Sequence, residues 1–391
     1  MTTTEVTSPP PAVPPGLKGV QVTQTSVGDV RGAEGFYHYR QYSATELAAA
    51  RGLEDVWRLL FDGSLPGTAA EAARFKAEIA AARDLPSEVS DLLPGIARAA
   101  RRGGALDGLR SALSVYGSAR GMRPLWDLEP LDRRRDLMEL AAVTPVLVAA
   151  LHRLGRGQEP VPAAPDLGHA ANYLWMVTGE RPAPERARAL EQYLMLTVDH
   201  GFNSSTFTAR VIASTGADAA AAVVGALGAL SGPLHGGAPS RALDTLDAIG
   251  RPERAEAHLR DLLTRGERIM GFGHAVYRTD DPRSVMLRGV ATGLGGDLAE
   301  LAVQVEQTVL RLLAELRPGR PLYANVEFYA GVVMDACGLP RDLFTPTFAV
   351  SRVIGWCANV AEQADERRII RPSARYVGPP PPAPVPAPPA A

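Results

Sequence analysis

Lysine is almost missing. It occurs only at Lys18 and Lys76 among 41 Lys and Arg residues, so nearly all positive charge is arginine, the better fork for carboxylates and phosphates. Cysteine is scarce too: Cys337 and Cys357 alone, in 391 residues, exclude a disulfide-built scaffold and fit a reducing cytoplasm. No unbroken apolar run reaches the roughly 18–20 residues of a membrane span. The run from Ala219 to Leu230 is 12 residues, which reads as a buried helix and leaves no membrane partner. The opening MTTTEVTSPPP has neither a cationic start nor a hydrophobic stretch, so it is not read as a secretory signal. Excess charge of either sign is also absent. A net charge of −2 excludes a generally basic nucleic-acid binder and an acidic disordered chain. No H-x-x-x-H or C-x-x-C pair, G-x-S-x-G elbow or Walker loop occurs, so zinc chemistry, a serine-hydrolase elbow and a P-loop are all unsupported.

What is present is apolar, at 46%, enough for one large domain or two ordinary ones. Both ends, 1–15 and 378–391 (GPPPPAPVPAPPAA), read as extended proline-rich tails outside the fold. Between 17 and 42, Val20-Gln21-Val22-Thr23 and Phe36-Tyr37-His38-Tyr39 alternate, broken by Gly28-Asp29 and Gly32, which predicts a short strand pair. From Ser43 on, apolar residues recur at three- and four-residue spacing, with Gly or Pro at the joints. That predicts helices over 69–83, 106–116, 133–154, 166–178, 184–200, 206–230, 251–269, 297–316, 326–337 and 343–367. The fold class is mostly α, larger than a four-helix bundle.

Four stretches break the helical rhythm. Asp199-His200-Gly201-Phe202-Asn203 reads first as an ordinary helix end followed by an Asn or Ser cap. In Pro233-Leu234-His235-Gly236-Gly237-Ala238 the glycines let backbone approach a ligand beside a histidine; a plain turn is the ordinary alternative. In Gly271-Phe272-Gly273-His274-Ala275-Val276-Tyr277-Arg278 and Asp280-Asp281-Pro282-Arg283, one histidine and two arginines sit by a flexible turn. That set suits anion binding and carbonyl polarisation, against the alternative of solvated loop charges. The last stretch holds Asn325-Val326-Glu327 and, further on, Arg352 within FAVSRVIGW. Glu327 is either a helix N-terminal charge or a buried base with a raised pKa. Arg352 lies on an apolar face and needs an anionic partner, structural or otherwise.

In this order and spacing the motifs resemble the citrate synthase family. The similarity covers roughly 16–378 and is strongest in PLHGGA, GFGHAVYRTDDPR and NVEFYAG, with support from GLKGV…YRQYSATELA and DLFTPTFAVSRVIGW…RPSARYVG. The resemblance implies a two-domain helical fold, with a large domain at 16–235 and 340–377 and a small one at 236–339, closing over substrate. It implies an acyltransferase of the tricarboxylic acid cycle, condensing acetyl-CoA with oxaloacetate through an enol(ate) and hydrolysing citryl-CoA. No metal and no cofactor beyond the coenzyme A thioester are implied, and the expected assembly is a homodimer with shared sites. By motif, His235 would donate to the thioester oxygen, His274 would polarise the ketone, and His200, Arg283 and Arg352 would hold oxaloacetate. Arg371 resembles an arginine supplied by the neighbouring subunit. Arg278, Arg153, Ile269, Gly271, Gly273 and Asn325 would border coenzyme A.

One position departs from the pattern. The family's usual base is the aspartate of N-V-D, and this chain has Glu327, whose carboxylate reaches about 1.5 Å farther for a fixed backbone. A 2-methylcitrate synthase using propionyl-CoA, and a non-catalytic paralogue that only binds oxaloacetate or CoA, are the competing readings. One methylene in an apolar pocket separates acyl donors by only about 1–3 kcal/mol.

Overall fold

A computed structural model of the chain describes residues 13–236, 239–267, 269–274, 276–316 and 322–386. Most of the expected proline-rich lead, the last five residues of the tail, and Gly237 and Ala238 of the second motif lie outside the described residues. Residues 378–386 are exposed and carry neither helix nor strand.

Helices dominate. They are α1 (Ala44–Ala50), α2 (Leu53–Asp62), α3 (Ala69–Ala81), α4 (Ser87–Ser90), α5 (Leu93–Ala99) and α6 (Gly104–Ala119). Then come α7 (Pro130–Gly155), α8 (His169–Thr178), α9 (Pro184–Thr197), α10 (Ser204–Ala213), α11 (Ala219–Leu230) and α12 (Pro239–Ile249). The last are α13 (Pro252–Thr264), α14 (Pro282–Leu294), α15 (Asp297–Leu316), α16 (Val326–Ala336) and α17 (Phe344–Glu366). The run predicted over 206–230 is two helices. Gly216 turns the chain at φ +80°, where a Cβ would lie 3.0 Å from the Trp126 ring, and Asp218 caps α11 by accepting the Ala221 N–H. The apolar periodicity runs through this corner, which is why it reads as continuous. The helix predicted to reach 269 stops at Thr264, because Gly266 takes φ +74°. Helices α12 and α14 begin on prolines, Pro239 and Pro282, that read as loop punctuation in sequence.

Three short strands form an antiparallel meander: β1 (Gly28–Arg31), β2 (Phe36–Tyr39) and β3 (Tyr42–Ser43). Gly28 pairs with Tyr39 and Arg31 with Phe36. The predicted strand at Val20–Thr23 does not form, and Gly28-Asp29, read as a break, lies inside β1. Glycine is required there, since a Cβ on Gly28 would fall 2.3 Å from the His38 carbonyl oxygen. Register is set instead by Tyr37 and Tyr39, whose alternate side chains turn inward and are buried.

The core is organised by α7 and α17, which pack on one another and on α6, α8, α9, α10 and α11. α17 is buried without interruption from Pro346 to Val360, the signature of a helix enclosed on all sides; fully burying its Trp356 alone is worth about 2–3 kcal/mol. α7 leaves the sequence reading in place, since it has no unbroken apolar run of membrane-spanning length. It is long and apolar enough to cross a bilayer by length and composition, yet most of its residues are buried inside the fold and Arg133, Asp136 and Glu139 lie within it. Helices α12 to α16 pack largely on each other. They meet the rest through α14 and α16 on α9, α12 on α17, and α14 on α1.

Candidate active site

A cavity of about 520 Å³ opens where the end of α9, β1, the start of α10, the turn after α11, the start of α16 and α17 converge. Its wall includes His200, His235, His274, Arg283, Glu327 and Arg352, together with Gly273 and Asn325. Residues more than 150 positions apart thus face one space.

His200 follows α9, and Gly201 at φ +59° turns the chain so that Asn203 caps α10 by accepting the Thr206 N–H at 3.1 Å. The ordinary capping reading holds, and His200 also faces the cavity. The His200 Nε2 meets the Tyr277 hydroxyl at 2.9 Å, and burial, reinforced by Arg283 and Arg352, holds its pKa well below the usual imidazole range.

His274 can be assigned a tautomer. Its Nδ1 accepts the backbone N–H groups of Val276 and Tyr277 at 3.0 and 3.1 Å, so in the neutral ring the proton sits on Nε2. Burial, with Arg283 beside it, pushes the His274 pKa down to about 4. The Arg283 Nη2 lies 3.2 Å from that Nε2; two donors meet there, so the Nε2–H is left for an acceptor in the cavity.

Asp281 organises Arg283. Its carboxylate accepts Arg283 Nε at 2.9 Å, Nη2 at 2.8 Å and the Arg283 backbone N–H at 3.0 Å. It also accepts the Val326 N–H at the start of α16 at 3.1 Å. Burial alone would raise the Asp281 pKa, but the Arg283 guanidinium outweighs it and holds the group below the ordinary range. Nη1 of Arg283 makes no hydrogen bond among the described residues and is free for a ligand. Arg352 differs. It is 2% exposed, its Nε donates to the Thr197 carbonyl at 2.7 Å, and no carboxylate lies within 4.0 Å of it among the described residues. The structural salt bridge offered as the ordinary reading is not there.

Glu327 sits in the first turn of α16, behind the cap in which Asn325 Oδ1 accepts the Glu327 N–H at 3.0 Å. It is a first-turn acid and also a cavity carboxylate. Burial pushes its pKa up to about 7 against the opposing pull of Arg283 and Arg352. The carboxylate accepts no hydrogen bond among the described residues.

Behind His235 lies a network that motif spacing did not reveal. The Ser205 hydroxyl contacts Asn203 Oδ1 at 2.8 Å, Trp356 Nε1 at 3.0 Å and His235 Nε2 at 2.8 Å. Oδ1 is acceptor-only and the indole donor-only, so the single Ser205 proton goes to Asn203 and His235 donates from Nε2. Burial, then Arg352, lowers the His235 pKa to about 4, and the neutral ring keeps its second nitrogen as an acceptor. Donation to a thioester oxygen would require the ring proton to move from Nε2 to Nδ1 and the Ser205 hydroxyl to turn and donate to Nε2.

The residues expected to border coenzyme A divide. Gly273 and Asn325 line the cavity, and Asn325 Nδ2 donates to the Gly273 carbonyl at 2.9 Å. Gly271 and Ile269 do not line it. Gly271, at φ +85°, lets the chain pass Phe328, which a Cβ would approach to 2.9 Å. The G-x-G element thus pairs with the entry to α16 through Phe272 and Ala324. Arg278 is exposed two residues from Val276 of the wall. Arg153 stands apart, its Nε and Nη1 donating to the Glu159 and Val177 carbonyls. Arg371 is exposed, outside the cavity of its own chain. Tyr277, Asp281, Ser205 and the wall residues Asp29 and Val30 were not singled out as site residues. The acid next to Arg283 was the one signal available in sequence.

The family profile described as "Citrate synthase, C-terminal domain" matches residues 16–373. The citrate synthase of Deinococcus radiodurans is 38% identical over 365 residues, covering 93% of this chain and 95% of the relative. The crystal structure of Thermotoga maritima citrate synthase superposes with a TM-score of 0.82 at 34% identity, covering 94% of this chain and 96% of that one. The Thermoplasma acidophilum citrate synthase, in ternary complex with carboxymethyl coenzyme A and oxaloacetate, gives 0.86 at 28% identity over 96% and 98%.

Proposed function

Since the chain belongs to the citrate synthase family and is an acyltransferase condensing acetyl-CoA with oxaloacetate, we propose that its cavity divides the reaction between an anion clamp, a carbonyl-polarising histidine and a carboxylate base. The clamp is His200, Arg352 and the free edge of Arg283. Oxaloacetate is a dianion, and a buried guanidinium without a protein carboxylate is matched by a ligand carboxylate. His274 Nε2–H donates to the ketone oxygen, making its carbon electrophilic and taking up the charge that develops.

Glu327 removes a proton from the thioester methyl. Its pKa near 7 places the base close to operating pH. His235 stabilises the enolate oxygen through Nδ1–H, in the tautomer whose Nε2 accepts the Ser205 hydroxyl. The enol carbon bonds to the ketone carbon, His274 protonates the alkoxide, and water then splits citryl-CoA into citrate and CoA. The ternary complex of the Thermoplasma relative supports the placement of both substrates in this cavity. The extra methylene of Glu327 is accommodated because its carboxylate has no protein partner to satisfy.

The remaining features belong to the same reading. Helices α12 to α16 close on the rest to exclude water. Two copies assemble as a dimer in which Arg371 reaches the neighbour's oxaloacetate. Arg278 at the rim meets coenzyme A phosphates. The enzyme works in the cytoplasm, in the tricarboxylic acid cycle, and needs no cofactor besides the thioester.

The unpartnered Glu327 carboxylate, facing the same cavity as the His274 donor and the unpaired Arg352, carries this reading. Thiol release from acetyl-CoA and oxaloacetate tests it. Glu327→Gln is expected to lose about 10³-fold in kcat while oxaloacetate binding by calorimetry stays within a few-fold; unchanged turnover removes Glu327 from the base role. A kcat/KM for propionyl-CoA above that for acetyl-CoA would overturn the choice of acyl donor.

A further inference from the structure

The hairpin of β1 and β2 touches both walls of the cavity. On one side it is anchored to the end of α9. The buried Tyr37 hydroxyl donates to the Leu196 carbonyl at 3.1 Å, and Tyr39 reaches the carbonyls of Met195 and Asp199 at 2.8 and 3.2 Å. The Tyr37 ring packs 5.5 Å from the His200 ring. On the other side the hairpin tip holds the chain just after His274. The Arg278 N–H donates to the Gly32 carbonyl at 3.0 Å. A Cβ on Gly32 would fall 2.3 Å from the Val276 carbonyl oxygen, and one on Gly35, at φ +62°, would fall 2.7 Å from Thr279 Oγ1. Gly32 therefore permits a backbone contact that no other residue allows, and Gly35 turns the tip at a positive φ beside the Thr279 side chain. Between the anchors, Asp29 and Val30 form part of the cavity wall.

We propose that this hairpin is a strap that sets the separation of the His200 wall from the His274 wall, with Gly32 as the positioning residue. The inference rests on reading the cavity as the oxaloacetate site. The mechanism is geometric. His200 and Arg352 stand on the α9 and α17 side, and His274 and Arg283 stand beyond the segment the strap holds. The His200–Tyr277 bond of 2.9 Å crosses the same joint, so a tip forced outward lengthens it. Oxaloacetate is held by both walls at once, and its affinity follows their spacing. The tip is partly exposed, while Tyr37 and Tyr39 are buried in the core, so a change confined to the tip leaves the helical core untouched.

The test is Gly32→Ala, with Tyr37→Phe as a second variant that keeps the ring and removes the anchoring hydroxyl. Glu34→Ala, at the exposed tip, serves as the control. Gly32→Ala is expected to raise the KM for oxaloacetate about tenfold, with acetyl-CoA KM and melting temperature nearly unchanged; Tyr37→Phe shifts it in the same direction by less. Amide hydrogen exchange at Arg278, read without substrate, is expected to accelerate in Gly32→Ala and not in Glu34→Ala. This second readout is independent of the catalysed reaction. Wild-type protein that bound no oxaloacetate would end the functional reading alone, whereas unaltered Arg278 exchange would end the strap. Oxaloacetate KM values within twofold of wild type in both Gly32→Ala and Tyr37→Phe would end it as well.

Discussion

Arg283 and Arg352 face one cavity, both nearly inaccessible at 3% and 2% exposure, yet they are held in opposite ways. Arg283 is paired through two nitrogens to Asp281, which in turn grips the first turn of α16. Arg352 has a backbone carbonyl and no carboxylate partner. The buried acid that acts on its charge, Asp199, has its pKa pushed up by burial to about 6 and spends its oxygens on Asn359 and Gly201. An uncompensated buried guanidinium costs several kcal/mol, which is why burial lowers the Arg352 pKa. The paired arginine positions a helix; the unpaired one is a charge kept for a ligand, at the expense of stability.

Removing each arginine should separate the two roles. Arg283→Met leaves Asp281 buried and ionised with half its donors gone, and is expected to cost about 3–5 kcal/mol of stability, read by denaturant unfolding. Arg352→Met removes a charge with no carboxylate partner among the described residues, held only by the Thr197 carbonyl and the Phe348 ring, so the melting temperature should stay level or rise. Its expected loss is in oxaloacetate affinity, about 10–100-fold, the worth of a charge-assisted hydrogen bond, read by calorimetry. Equal destabilisation in the two variants would break the contrast. Arg283→Met stable as wild type would show that Asp281 is satisfied some other way.

The contrast was only half legible in sequence. The DDPR run announces an acid beside Arg283, because Asp281 also caps α14 and the pairing is local. Arg352 shows only that a charge sits on an apolar face; what it lacks depends on α9, some 150 residues away, and no local pattern reports a missing partner. That six of the named residues face one cavity was legible for a related reason. His200, His235 and His274 sit beside glycines that break helical periodicity, and Glu327 and Arg352 stand out in apolar company. Ser205, by contrast, reads as an ordinary residue of a helix start, and Tyr277 as one more aromatic; each matters through a hydrogen bond to a histidine 30 and 77 positions away, respectively. Arg153 shows the converse limit. Its motif context pointed to the substrate, and the fold spends it on carbonyls near its own helix end. Helix α15 matched its predicted bounds, 297–316, since its apolar stripe is regular and Gly295-Gly296 opens it. Strand β1 did not, because its pairing depends on where Tyr37 and Tyr39 dock.

The last effect concerns the third charge of the cavity and has a sign of its own. Glu327 titrates near 7 in the folded protein, above its ordinary value near 4.5, so between these limits the folded state binds more protons than the unfolded one. Stability contributed by Glu327 is therefore complete below the lower limit and falls as pH rises through 7. His235 and His274, lowered to about 4, act oppositely: their contribution is lost as pH falls from 6.5 toward 4. Comparing Glu327→Gln with wild type cancels the histidines and isolates the carboxylate. The variant should melt higher than wild type at pH 8, with the gap closing toward pH 5, while kcat of the wild type climbs with pH through about 7 as the base ionises. A carboxylate whose ionisation weakens the fold and starts the reaction is the same trade that Arg352 makes with a fixed charge. A Glu327→Gln melting difference independent of pH would place that carboxylate in ordinary solvent and confine the trade to the arginine.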